Sequence, residues 1–154
     1  MEVRNFKPED AEKSSQLIIQ NLQRVLTQDY PNEAIEVLMP FFTPEELIEK
    51  SKHQYTIVGM LGNDLVGFAT LDTDRVRGIF VDVARHGRGI GKKLMTELEA
   101  YAKEQRVKKI YLMSAISASG FYKKLGYRVV KHIDHDLGGM SIPELQMEKI
   151  LLVD

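Results

Sequence analysis

The sequence predicts a mixed α/β fold, and three observations carry that expectation. Two β runs, Tyr55 to Leu61 and Leu65 to Leu71, flank Gly62-Asn63-Asp64 and read as an antiparallel hairpin. A third run, Arg75 to Val83, passes straight into the glycines of HGRGIGKKL (His86 to Leu94) and then into apolar residues at helical spacing. Strand and helix candidates then alternate to the C-terminus with no internal repeat, low-complexity tract or linker. Residues 1–154 are therefore expected to form one domain.

In chain order, Val3 to Phe6 is a short strand candidate, and Pro8-Glu9-Asp10 reads as a helix start with acids near the positive end of the dipole. Leu17, Ile18, Leu22, Val25 and Leu26 follow at helical spacing until Tyr30-Pro31-Asn32 breaks the pattern. A second helical stretch covers Glu33 to Met39. Thr43-Pro44-Glu45-Glu46 supplies a hydroxyl cap, a first-turn proline and two acids, so a helix is expected from there to about Lys52. Beyond the hairpin and the third β run, Ile90, Leu94, Leu98, Tyr101 and Ala102 mark an amphipathic helix to about Gln105. Lys93–Glu97 and Glu99–Lys103 are expected to pair on its exposed side. Lys109 to Met113 reads as a strand, Ser117 to Leu125 as a helix, Tyr127 to Ile133 as a strand and Leu145 to Leu152 as a closing strand.

Composition narrows the class. The net charge of -1 gives no electrostatic case for binding nucleic acid or anionic lipid. The absence of cysteine removes disulfides, thiolate catalysis and sulfur-built zinc sites. No apolar run approaches the roughly 20 residues that span a bilayer, and the charged N-terminus lacks a signal-peptide core. The expectation is a soluble, cytoplasmic protein, monomer or homodimer, with neither nucleic acid nor membrane as partner.

Gly87, Gly89 and Gly91 need a reason, because each glycine inside a helix or strand costs about 0.5–1 kcal/mol relative to alanine. Strand, glycine loop and amphipathic helix in succession is the local geometry of an anion site. The first amides of a helix have no internal partner and point outward with the positive dipole end. Arg88, Lys92 and Lys93 add positive charge at the same place. A tight strand-to-helix turn explains the glycines equally well when they are taken alone. The spacing excludes a P-loop, which needs Gly-Lys-Ser/Thr after four intervening residues, and the dinucleotide pattern Gly-x-Gly-x-x-Gly.

The segment IFVDVARHGRGIGKKLMTELEAYA resembles the coenzyme-A motif of the GNAT acyltransferase superfamily, Arg/Gln-x-x-Gly-x-Gly/Ala, with His86, Gly89 and Gly91 at its marked positions. SASGFYKKLGYRVV is similar to the family's second signature, and VRNFKPEDA and LQMEKIL sit where the family has its first and last strands. The resemblance implies the GNAT fold: a mixed, mostly antiparallel sheet with helices on both faces. It implies acetyl-CoA as acyl donor, with no metal, and an amine acceptor that attacks the thioester directly. Pyrophosphate is then expected on His86, Gly87, Arg88, Gly89, Ile90, Gly91 and Lys92. Pantetheine is expected along Ile79, Phe80 and Val81, and an amide near Phe80 or Val81 would steady the oxyanion. Tyr122 matches the family's proton donor to the departing thiolate; packing under the helix is its alternative reading.

The chain departs from the pattern in three places. Arg75 stands where many members carry a glutamate, and Asp72, Asp74, His53, Glu33 and Asp82 are only dispersed substitutes, so no base is named. His86 replaces the usual arginine or glutamine. Ala115 replaces an asparagine that holds pantetheine, with Ser114 or Ser117 as substitutes. His132-Ile133-Asp134-His135-Asp136 looks like a metal motif but is expected to be a polar loop before Gly138-Gly139, bordering the acceptor pocket if it has a role. A silent acyl-CoA-binding sensor and transfer of a longer acyl group are the alternatives to acetyl transfer.

Overall fold

The computed structural model describes residues 1–152. Its elements run β1 (Glu2–Asn5), α1 (Ala11–Arg24), α2 (Asn32–Leu38), α3 (Pro44–Ser51), β2 (Tyr55–Leu61), β3 (Asp64–Asp72), β4 (Arg75–Val81), α4 (Ile90–Glu104), β5 (Lys109–Ala115), α5 (Ser119–Lys124), β6 (Arg128–Leu137) and β7 (Met140–Ile150). The strands form one seven-stranded sheet in the order β1-β2-β3-β4-β5-β7-β6. Every neighbouring pair is antiparallel except β4 and β5. That one parallel pair follows from α4, because only a crossover returns the chain to the same end of a sheet.

Each face of the sheet buries its own cluster. Ile18, Leu22, Tyr30, Ile35 and Leu47 pack with Val58 and Phe68 under α1, α2 and α3. Leu94, Met95 and Leu98 of α4 and Tyr122 of α5 pack with Val66, Leu71, Ile110 and Met147 on the other face. Thr43 caps α3 as expected, its Oγ1 accepting from the Glu46 amide at 3.3 Å. The start of α1 is fixed by Arg4, whose guanidinium donates to both carboxylate oxygens of buried Asp10 at 2.8 and 2.9 Å, while the Lys7 amide donates a third bond. These bonds, led by that from Arg4, hold the Asp10 carboxyl below the usual carboxylate range.

Several sequence expectations are corrected. The third β run stops at Val81 rather than Val83, because the Asp82 carboxylate accepts from the Ala84 amide and bends the chain into a helical turn. Among the described residues the ion pairs expected on α4 are absent. Lys93 Nζ donates to the Met1 carbonyl at 2.7 Å, and Glu99 accepts from Tyr127 Oη at 2.7 Å and Lys149 Nζ at 2.9 Å. Nor is the polar run His132–Asp136 a loop: it is the outer half of β6, paired with Ser141 to Leu145 of β7. As a sheet edge β6 need bury little of either face, so it carries polar residues without apolar alternation.

Candidate active site

The sheet forks at its parallel pair. β4 and β5 are in register only at Arg75–Tyr111 and Val76–Leu112. Beyond that point β4 stays paired with β3 as far as Val81, and β5 stays paired with β7 as far as Ala115. The inner edges of both strands are therefore left without a strand partner. Arg77 marks the vertex. It is the extra residue of a bulge, since Val76 pairs with Leu71 and Gly78 with Thr70.

Backbone direction along the β4 lip follows from one bond. The Asp82 amide donates to Val66 of β3 at 2.9 Å, so Phe80 also turns its backbone groups to β3, and Ile79 and Val81 turn theirs into the fork. Of the two amides named for the oxyanion, Phe80's is thus committed to the sheet and Val81's faces the gap. The Val81 carbonyl accepts from buried Asn21 of α1 at 2.9 Å and from His86 Nε2 at 3.1 Å. His86 therefore braces the lip, a role its place in the motif does not reveal. The Phe80 ring lies on the α1–α3 face, edge-on to Phe42 at 5.8 Å.

At the end of that lip the chain enters α4 through two left-handed residues, Gly87 (φ +80°) and Gly89 (φ +81°), the second being the helix cap. Among the described residues the amides of Gly87, Arg88, Gly89, Ile90, Gly91 and Lys92 have no hydrogen-bond partner; the first helical bond is Lys93 to Gly89 at 3.1 Å. A Cβ built on Gly87 or Gly89 would have nothing within 4 Å, so the space before these amides is open. At Gly91 the same atom would come within 3.0 Å of the Phe121 ring. Arg88 and Lys92 are exposed and without an ion-pair partner among the described residues.

Tyr122 lies within the cluster on the α4 face, edge-on to Phe121 at 5.1 Å and Tyr127 at 6.0 Å. Burial pushes its phenol above the usual tyrosine range, and among the described residues its hydroxyl has no hydrogen-bond partner. It is a protonated donor without an acceptor.

The β5 lip is less accommodating than expected. The Ser117 amide and hydroxyl both donate to Asp29 in the α1–α2 connection, the amide at 3.2 Å. The hydroxyl of buried Ser114 donates to the Ala115 carbonyl at 2.7 Å. Neither serine offers a free hydroxyl in place of the asparagine. Among the candidate bases, Asp82 is engaged by Ala84 and by Arg85 at 2.9 Å, and His53 lies beside Glu49 on α3. Sequence reasoning missed Glu144. It is buried on β7 opposite Ala115, accepting from Tyr30 Oη, and lies 3.2 Å from His135 Nδ1. Glu144 lies one residue before the closing strand expected from the sequence, and nothing in the local pattern points to Tyr30.

A family model described as an acetyltransferase (GNAT) domain matches residues 26–151, and the chain belongs to that family. Solved structures share the fold from end to end. A GCN5-related N-acetyltransferase from Rhodopseudomonas palustris superposes with a TM-score of 0.90 at 23% identity, over 97% of this chain and 95% of that one. PaiA N-acetyltransferase from Thermoplasma acidophilum, in complex with coenzyme A, gives 0.82 at 21% identity, over 97% and 98%. An aminoglycoside 6'-N-acetyltransferase complexed with coenzyme A gives 0.74 at 18%, over 100% and 99%. No curated protein matches the sequence.

Proposed function

We propose that this chain transfers an acetyl group from acetyl-CoA to a primary amine. The observation that carries the reading is the run of six amides from Gly87 to Lys92, unpartnered among the described residues, that ends the open edge of β4. The first amides of a helix point outward together with the positive end of its dipole, so such a row facing open space is suited to an anion. A pyrophosphate fits its charge and spacing, with Arg88 and Lys92 alongside. An extended pantetheine arm can pair with the inward groups of Ile79, as a strand adds to a sheet edge, leaving the Val81 amide for the thioester oxygen. The chemistry such a donor supplies is a thioester carbonyl open to an amine, with a thiolate as leaving group.

This chain's residues then do three things. The Val81 amide, fixed because Asn21 and His86 hold the same residue's carbonyl, steadies negative charge on the carbonyl oxygen. The protonated Tyr122 hydroxyl supplies a proton to the departing sulfur and is restored by the proton that the attacking nitrogen sheds. The two lips hold the donor so that attack comes from the open side of the fork. Arg75 in place of a carboxylate favours a second reading, a coenzyme-A-binding sensor without turnover. One assay separates them: release of free thiol from acetyl-CoA across a panel of primary amines. Transfer requires a rate above background hydrolysis that climbs with pH as the amine loses its proton, then levels. Tight binding with no release across the panel would establish the sensor instead.

A further inference from the structure

On the α1–α3 side of the fork's vertex the sheet carries a hollow of about 250 Å³, lined by Arg75, Arg77, Tyr111 and the turn residues Asp72, Thr73 and Asp74. Its face is set by alternation: Val76, Ile110 and Leu112 belong to the cluster under α4, so Arg75 and Tyr111 point the other way. The amide loop opens α4 on the opposite face of the sheet, so a molecule in this hollow would approach the fork from the side away from the pyrophosphate site.

The arginines of this hollow are not ion-paired among the described residues. Among the described residues neither Arg75 nor Arg77 has an ion-pair or hydrogen-bond partner, although two carboxylates line the same space. The Arg75 Nε is buried with no acceptor, an arrangement that costs free energy unless something fills it. Tyr111 lies beside the guanidinium, whose carbon is 5.9 Å from the ring centroid, so the fork of donors is held in place. Lys50 of α3 is a third cation nearby: burial first, and Arg77 after an opposing Glu46, hold its amine below the usual lysine range. A guanidinium pair with an idle buried donor is suited to a planar or tetrahedral oxyanion. The volume holds one compact group, and Asp72 and Asp74 on the rim disfavour a polyanion.

We infer that the amine acceptor of this chain carries an oxyanion, a carboxylate or a phosphate, which Arg75 and Arg77 bind at the vertex of the fork. The inference rests on the acetyl-transfer reading for the identity of the ligand as the acceptor. The test titrates the full chain, saturated with coenzyme A, with matched pairs followed by calorimetry. The twenty L-amino acids are set against their decarboxylated amines, and O-phosphoethanolamine against ethanolamine. At least one anionic member should bind roughly tenfold or more tightly than its partner. Arg75→Met, and separately Arg77→Met at an exposed position, should remove a preference on the order of 10–100-fold while the rise in Tm with coenzyme A persists. The inference is overturned if uncharged amines bind as well, if no anionic member binds, or if the preference survives both substitutions. A chain whose Tm does not respond to coenzyme A loses the transfer reading, and the same titration without the coenzyme then decides the anion site by itself.

Discussion

The chain contains two glycine-rich turns with left-handed backbone, and they end in opposite ways. At Gly138 (φ +59°) and Gly139 (φ +84°) the turn joins β6 to β7, and the Gly139 amide donates to Asp136 at 3.0 Å. At Gly87 and Gly89 the backbone makes the same excursion, yet the six amides from Gly87 to Lys92 are without partners among the described residues. Positive φ explains why glycine is used in both places and says nothing about function. What distinguishes a binding loop is where its donors go. One turn completes its own hydrogen bonds; the other leaves them for something that is not protein.

The largest expected effect breaks the open turn. Gly89→Asp puts a side chain at a left-handed position and a carboxylate in front of the free amides. The rise in Tm on adding acetyl-CoA should vanish, which at ligand 100-fold above Kd removes about 2.7 kcal/mol of linked stabilisation. A normal shift in a folded Gly89→Asp chain would put the pyrophosphate elsewhere.

The next test moves to the donor beside that turn. Tyr122→Phe keeps the ring contacts with Phe121 and Tyr127 and removes a hydroxyl that bonds to nothing among the described residues. Stability should hold, while turnover falls roughly 10²-fold, the low end for general acid catalysis because thiolate leaves readily. Should kcat stay within a few-fold with the chemical step limiting, Tyr122 is a wall of the site and no more.

A smaller effect gives a reference far from both turns. Asp10→Asn loses charge-assisted bonds from Arg4 and should destabilise by about 1–3 kcal/mol near neutral pH. Because the Asp10 carboxyl lies below its ordinary value in the folded chain, its contribution is complete above the unfolded value of about 3.9 and fades as pH falls through the folded one. Denaturation curves for parent and variant should therefore converge below about pH 4. A gap independent of pH would assign the loss to packing.

The smallest effect comes from the closed turn. In Gly138→Ala the new Cβ would sit at φ +59° and 2.9 Å from Val37 Cγ2, costing about 1–2 kcal/mol. The Tm should drop with no change in the acetyl-CoA shift. A reduced shift would mean that the hairpin and the fork are coupled.

Much of this architecture can be read from residue order. The Thr43 cap, the hairpin at Gly62-Asn63-Asp64 and the α4 stripe of Leu94 and Leu98 depend on neighbours within one or two turns, and each forms where its pattern lies, except that Asp64 already pairs with Leu61 as the first residue of β3. β6 and β7 are misjudged at their near ends because an edge hairpin satisfies its backbone with a partner strand, whatever its side chains. His132 to Asp136 therefore carries no alternation to find. The pairs expected on α4 fail for a related reason. Glu99 meets Tyr127 and Lys149, twenty-eight and fifty residues on, and these bind better than an exposed i,i+4 neighbour.

By itself the sequence determined the glycine loop, the amphipathic helix behind it and the tyrosine thirty residues on, because all three are set by local spacing and residue type. Only the tertiary structure decided where the sheet forks, which β4 amides face the gap, and that Asp29 has taken the serine offered in place of asparagine. It alone brought Tyr30 to Glu144 and left the Arg75 Nε buried without an acceptor among the described residues. Those facts depend on which strands pair and which stop pairing. A hydrogen bond lost between β4 and β5 at Arg77 involves residues more than thirty positions apart, and no local pattern records it.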